Sequence, residues 1–382
     1  MKKIKILHVL SDSNIGGAGR LLYNLADSID KEKFEFIYVF PKGSKLIEFF
    51  RKDNSNCKIY TIANGKDKSF DIKASFEIAK IIKKVSPDIV HTHSALFARI
   101  GAKIVSFDKQ RVVYTKHCVF ETPKIYNLKI IKYIYDIFDG IFSTNIIAVA
   151  DCAKKELVNC GIDPKKIKVI INGVKPLRKA MPEENEKTKR ELNIPQNSFV
   201  VGISARLEKY KGHKTLLQAA RLTKLWEIDD IVFLIMGGGS YEKELKRLTK
   251  ELDINDRVIF LGFVDDISKY VNIFDINVNC STGTETSSLA ISEGLSIGKP
   301  AIASDYGGNP NMVVNGRTGF IFKQKNAWEL FNKINLLKNN PELLKKMSSN
   351  ARADFVKRFS SEIMAREYEA FYKQIILKKK RL

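Results

Sequence analysis

At 382 residues, 44% of them apolar, the chain is too long for one ordinary domain and too apolar to be globally disordered. No run reaches the roughly 18 apolar residues that a membrane-spanning helix needs, and the opening Met1-Lys2-Lys3-Ile4-Lys5-Ile6 carries charges inside its apolar stretch, which suits a β-strand and not a signal peptide. The formal net charge of +22 is spread over both halves, 30 Lys+Arg against 18 Asp+Glu in residues 1–172 and 35 against 25 beyond, so it is not a basic tail on a neutral protein.

Short Val/Ile/Phe-rich runs alternate with helix-period segments throughout, the signature of α/β layers with parallel strands. In the first half, strands are expected at Ile4–Leu10, Phe34–Phe40, Ile59–Ile62, Ile89–His91, Val112–Thr115, Ile146–Val149 and Val169–Ile171, with helices such as Ala18–Ser28, Ile72–Val85 and Asp151–Asn159 between them. From Gly173 to Pro195 the chain turns polar without apolar period and reads as a connection between domains. A second series then offers strands at Phe199–Ser204, Ile231–Met236, Val258–Leu261, Ile276–Asn279, Ala301–Ser304 and Gly319–Phe322, and helices at His213–Thr223, Tyr241–Leu252 and Leu289–Ile297. The chain is helical from Ala327, with a break at Pro341 and a last helix over Ser361–Leu377. Two doubly wound domains result, 1–172 and 173–360, with 361–377 packing back on the first. Ligands of such sheets bind at the carboxyl ends of strands, so a cleft between the domains is the expected site.

Five cysteines, Cys57, Cys118, Cys152, Cys160 and Cys280, form no C-x-x-C. Their odd number argues against a disulfide framework or zinc site and for a reducing cytosol, with buried, inert thiols.

Three loops carry candidate chemistry. After the first strand, Gly16-Gly17-Ala18-Gly19-Arg20 leads into a helix; its amides suit a phosphate, and a tight strand–helix turn explains the glycines almost as well. Arg206 and Lys211 lie between a strand and a helix, where two cations suit a diphosphate and a solvated loop is the plain alternative. In Ser281-Thr282-Gly283-Thr284-Glu285-Thr286-Ser287-Ser288-Leu289, a small-residue loop carries Glu285 into a helix that starts with the amides of Ser288 and Leu289 and holds Glu293. Another strand and glycine-rich turn, Ala301 to Pro310, follow. The spacing of the two glutamates proves little by itself.

With Asp88-Ile89-Val90-His91-Thr92-His93, His117, Asn172-Gly173-Val174, Lys211-Gly212 and Gly237-Gly238-Gly239 added in order, nearly the whole chain resembles the retaining glycosyltransferases of family 4. These have the GT-B fold, two Rossmann-like domains facing across a cleft. The run Glu285 to Pro310 resembles bacterial enzymes that build capsular and other surface polysaccharides. The resemblance implies transfer of a sugar from a nucleotide-sugar donor to a lipid-linked or polysaccharide acceptor. It implies Glu293 on the donor ribose, Glu285 on the transferred sugar, and Arg206, Lys211 and the Ser288 and Leu289 amides on the diphosphate. Gly16 and Gly17 would approach the diphosphate and acceptor, and His117 the reacting carbon. His91 and His93 read as strand-end structure more than as a metal pair.

Two departures bear on donor choice: Thr286-Ser287-Ser288 replaces the usual Gly and Phe after the first glutamate, and Asn309-Pro310-Asn311 stands where many members have an acidic residue. No D-x-D occurs, so no metal or other cofactor is expected, and Arg206 and Lys211 would take the metal's electrostatic task. Domain closure would exclude water.

For the charge, the candidate partners are an anionic membrane, nucleic acid or phosphate-bearing molecules; solubility alone is the simplest account. The stretch Tyr126–Tyr135, which mixes aromatics, aliphatics and lysines, and the tail Lys378-Lys379-Lys380-Arg381 favour peripheral contact with the inner membrane face. No nucleic-acid motif accompanies the charge. A sugar-nucleotide epimerase of the same fold and a glycogen-type synthase are the competing functions.

Overall fold

The computed structural model describes residues 2–52, 57–105, 111–119 and 145–378, and between 119 and 145 only positions 130, 137, 141 and 142. The chain divides into two units, Met1–Gly173 with Ser361–Leu382, and Val174–Ser360.

In the first unit, β1 (Ile4–Leu10), β2 (Phe34–Pro41), β3 (Lys58–Ile62), β4 (Ile89–His93), β5 (Arg111–Lys116), β6 (Asn145–Ala148) and β7 (Ile167–Val169) form one sheet in the order β3-β2-β1-β4-β5-β6-β7. Every pairing in it is parallel. Strand β7 begins two residues before its expected start. The Asp163 side chain accepts from the Lys165 amide and tightens Pro164–Lys166 into a 3-10 turn, which delivers the chain to the sheet early.

Successive side chains of a strand leave on opposite faces, and β1 shows it. Ile6 and Leu10 enter the core under helices Gly17–Ser28 and Ser361–Lys378, while Leu7 and Val9 enter the one under Ile72–Val85 and Leu96–Val105. Tyr368 and Tyr372 of the last helix are fully buried in the former. Burying side chains of this size contributes roughly 2–3 kcal/mol each, enough to fix that helix to this unit.

The second unit holds β8 (Phe199–Ser204), β9 (Ile231–Met236), β10 (Val258–Gly262), β11 (Ile276–Asn279), β12 (Ala301–Ser304) and β13 (Gly319–Phe322). They are ordered β10-β9-β8-β11-β12-β13 and again all parallel. One departure from the sequence reading lies just before them: Pro182–Glu191, expected as connector, is a helix. Local chemistry makes it one. Pro182 starts it, the Glu184 carboxylate accepts from the Met181 amide at 2.7 Å and from Nη1 and Nη2 of Arg178 at 2.9 Å, and Glu186 faces Arg190 at i,i+4. Such a helix needs no apolar stripe, which is why periodicity misses it.

Both units are thus Rossmann-like α/β layers. Sheet order reverses between β1 and β4 in one and between β8 and β11 in the other, and ligands of open α/β sheets bind beyond the strand ends at such a point. All five cysteines are free; Cys160 and Cys280 are buried, whereas Cys57, Cys118 and Cys152 are half-buried, against the expectation of five buried thiols. Among the described residues no helix is long and apolar enough to cross a membrane. The stretch Tyr126–Tyr135, Ile130 excepted, and the basic tail from Lys379 onward lie outside the described residues.

Candidate active site

At the switch point of the second unit, the loop after β8 meets the loop after β11. The first carries Arg206 and, in the 3-10 turn Lys209–Lys211, Tyr210 and Lys211. Gly212 ends that turn at φ 72°, and a Cβ there would lie 1.9 Å from the Cys280 carbonyl oxygen, so no other residue lets the two loops meet this closely. The Thr282 amide closes the junction, donating to the Tyr210 carbonyl at 2.7 Å.

Glu285 lies in this junction with its side chain 9% exposed. Three donors converge on its Oε2: Lys211 Nζ at 2.8 Å, Ser281 Oγ at 2.8 Å and Asn279 Nδ2 at 3.2 Å. Burial pushes the carboxyl up, but the Lys211 ammonium and the three hydrogen bonds outweigh it, and its pKa is held below the usual range. An ionised carboxylate pinned through one oxygen leaves Oε1 to accept from a ligand hydroxyl.

Behind Glu285 the small polar residues form a scaffold. The Asn279 amide also donates to Ser288 Oγ at 3.1 Å, and Ser288 caps the helix Leu289–Ser296 by accepting from the Ile291 amide. Ser304 Oγ donates to the Ser281 carbonyl, and Asn309, fully buried, donates to Ser304 Oγ at 3.0 Å and Asn279 Oδ1 at 3.4 Å. The turn Gly307-Gly308 packs on the Glu285 loop itself: a Cβ on either would sit 2.0 and 1.5 Å from the carbonyl oxygens of Glu285 and Thr286. These glycines shape the loop.

Lys211, expected on a diphosphate, thus bonds the carboxylate beside it. Arg206 is exposed, like Lys209, and its Nη2 donates to the Tyr210 hydroxyl at 2.6 Å. The positive end of the helix Leu289–Ser296, with the Ser288 and Leu289 amides, adjoins Glu285 in sequence. Glu293 is half-buried in that helix, and none of the three bonds to Glu285 comes from it.

The first unit brings other expected residues to its own switch point. Gly16 caps the helix Gly17–Ser28. A Cβ on Gly16 or Gly17 would meet nothing within 4 Å and neither has a positive φ, so neither packing nor strain calls for glycine there. The space a Cβ would take is open at both, as a close-approaching ligand requires.

Strand register sets His8 of β1 opposite His91 of β4, and His93 opposite Thr115 of β5. His8, His93 and His117 then run in series, with His8 Nδ1 3.1 Å from His93 Nε2 and His93 Nδ1 2.9 Å from His117 Nε2. Burial holds His117 down at about 4 and pushes His8 and His93 well below the imidazole range, so all three are neutral at pH 7. One ring nitrogen from each of His8, His91 and His93 lies within 4.8 Å of the other two, a spacing that admits a metal. Both nitrogens of His91, however, are engaged, Nδ1 with the Tyr372 hydroxyl at 2.7 Å and Nε2 with Thr115 Oγ1 at 2.6 Å.

Sequence reading gives His8, Asn279, Ser281 and Ser304 no role, and takes Asn309 only as a departure that bears on donor choice. His8, Asn279 and Ser304 fall on or at the end of β1, β11 and β12, and a polar residue at such a strand end is the signal that was there to use.

The chain matches two families described by their sequences: residues 15–178 match "Glycosyltransferase Family 4" and residues 184–354 match "Glycosyl transferases group 1". It is 29% identical over 370 residues to the UDP-Gal:alpha-D-GlcNAc-diphosphoundecaprenol alpha-1,3-galactosyltransferase of Escherichia coli, covering 94% of each chain. Among solved structures, a glycosyltransferase from Rickettsia africae ESF-5 superposes with TM-score 0.84 at 26% identity, over 98% of this chain and 99% of that one. Anabaena HepE in complex with UDP superposes with TM-score 0.81 at 22% identity, over 98% and 100%.

Proposed function

The chain belongs to the glycosyltransferases of GT-B fold, with a family 4 domain followed by a group 1 domain, and we propose that it moves a hexosyl group, with retention of configuration, from a UDP-sugar to a sugar on a lipid diphosphate. The single observation that carries this reading is Glu285: an ionised carboxylate pinned through one oxygen, buried at the switch point and next to a helix N-terminus. The donor base and the acceptor class are supported by the galactosyltransferase relative and by the UDP complex of the structural neighbour.

In this reading Glu285 Oε1 accepts from hydroxyls of the transferred sugar and Glu293 from the ribose. Arg206 and the Ser288 and Leu289 amides take up the negative charge that grows on the departing diphosphate. Lys211 keeps Glu285 charged and adds its own field to the same anion. These fixed positive groups make a divalent metal unnecessary. Gly16, Gly17 and His117 serve the acceptor side of the reaction.

Work at the inner face of the cytoplasmic membrane fits the +22 charge and the exposed Phe70, Ile72 and Phe76, which stand among Lys66, Lys68, Lys73 and Lys80.

The test is a thermal-shift panel of UDP-, GDP-, ADP- and CMP-sugars with and without EDTA. UDP-sugars should raise the melting temperature, as any ligand of the folded state does. If none stabilises the protein at millimolar concentration, the reading fails. Radiolabelled transfer to a GlcNAc-diphospholipid and the anomeric coupling of the product then check acceptor and stereochemistry.

A further inference from the structure

We propose that His8 and His93 are positioning residues that fix the tautomer of His117, leaving it a hydrogen-bond donor through Nδ1. The contacts His8 Nδ1···His93 Nε2 at 3.1 Å and His93 Nδ1···His117 Nε2 at 2.9 Å each require one proton between two nitrogens. A neutral imidazole carries a single N–H, so the three protons must all point the same way along the chain.

Only two arrangements satisfy this. In one, His8 Nδ1–H donates to His93, His93 Nδ1–H donates to His117, and His117 carries its own proton on Nδ1. In the other every proton is reversed: His117 Nε2–H donates to His93, His93 Nε2–H donates to His8, and His8 carries its proton on Nε2. The far end of the chain decides between them. His8 is fully buried, and its Nε2 has no hydrogen-bond partner; the ring of Phe36, 4.4 Å away centre to centre, offers at most a weak π acceptor. The second arrangement strands a buried N–H there, the first only a lone pair. Orphaned buried N–H groups are the rarer and costlier of the two.

The first arrangement therefore holds, and burial, which keeps the rings neutral, preserves it at working pH. His117 then carries its proton on Nδ1, the nitrogen that His93 does not engage. Resting on the reading above that His117 belongs to the reacting centre, it donates to an oxygen of the bound substrate and does not act as a base.

The experiment uses the full chain labelled with 15N-histidine; five histidines give a sparse long-range 1H–15N spectrum that separates protonated from bare ring nitrogens. His8, His93 and His117 should all be Nδ1-protonated, the minor form of free histidine. An Nε2 proton on His117, or a shift of His8, His91 and His93 together on adding Zn(II), overturns the proposal.

Variants read the consequence. In His93→Leu, His117 Nε2 loses its donor, and kcat should fall about tenfold, the worth of one positioned hydrogen bond, with the donor KM within about twofold. His93→Asn, whose amide can donate from the place of Nδ1, should recover most of kcat; equal losses in both variants refute positioning. Should the Leu variant not fold, the wild-type spectrum still decides. Loss of UDP-sugar binding with the spectrum as expected would sink the donor assignment and leave the tautomer chain standing.

Discussion

Replacing Lys211 by Met removes the full charge paired with Glu285 and leaves the carboxylate nearly as buried as before. At 2.8 Å and an effective dielectric of about 20, the pair interacts by roughly 6 kcal/mol. Part of this is offset by the ammonium's own desolvation, and the Ser281 and Asn279 bonds remain. Breaking a buried pair by removing one partner costs about 3–5 kcal/mol, and the low end applies here. For a unit of this size about 3 kcal/mol lowers the melting temperature by roughly 6–12 °C.

The pH dependence separates this mechanism from lost packing. In the wild type the Glu285 pKa is depressed on folding. Its stabilisation is therefore present above the unfolded carboxyl value of about 4.3 and is lost as pH falls through the folded value. Without Lys211, burial, the largest influence on this group, raises the folded pKa above the unfolded one. The sign reverses, and Lys211→Met loses stability as pH rises from about 4.3 towards neutrality. Denaturant melts at pH 4, 6 and 8 should show a gap of about 1 kcal/mol widening to about 3. Adding Glu285→Gln to the Met variant should restore part of the loss at pH 8. A gap independent of pH would refute the reasoning, since a purely steric defect has no reason to titrate.

Glu285→Gln alone keeps the shape of the junction and removes the charge; transfer should fall about 100-fold or more, with UDP affinity by calorimetry changed only a few-fold. Gly17→Ala should leave the melting temperature within about 1 °C and raise the donor or acceptor KM, because its Cβ meets nothing, whereas Gly308→Ala, with a Cβ 1.5 Å from a carbonyl oxygen, should destabilise by about 2–4 kcal/mol in urea titrations. Transfer rates measured with and without EDTA should coincide; a loss restored by Mg2+ or Mn2+ would contradict the role given to Arg206 and Lys211.

Much of the fold was legible because each layer writes its own period. Ala301–Ser304 is bounded to the residue because Ala-Ile-Ala-Ser is the continuously apolar or small run that a strand buried on both faces requires, and Ile276–Asn279 because Ile276 and Val278 alternate with Asn277 and Asn279 at the strand period. Pro182–Glu191 was illegible for the opposite reason: its helix is held by charged side chains and a proline start, which leave no hydrophobic stripe. Arg206 and Lys211 follow β8 and Glu285 follows β11, the loops in which the strand pattern leads one to look for them.

Partnerships were a different matter. Lys211 and Glu285 are 74 positions apart, and sequence reading sent them to different parts of a donor. What joins them is the placement of β8 beside β11, with β9 and β10 turned to the other side; a period of two within one strand says nothing about which strand lies next to it. The same holds in the first unit, where His8, His93 and His117 meet only because β1, β4 and β5 are consecutive in the sheet. Here the adjacency has chemical content. A histidine that ends a strand is by itself a base, a donor or a ligand, and its neighbours on the next two strands reduce the three to one. The sequence names the groups; the order of strands decides their protonation, and with it what they can do.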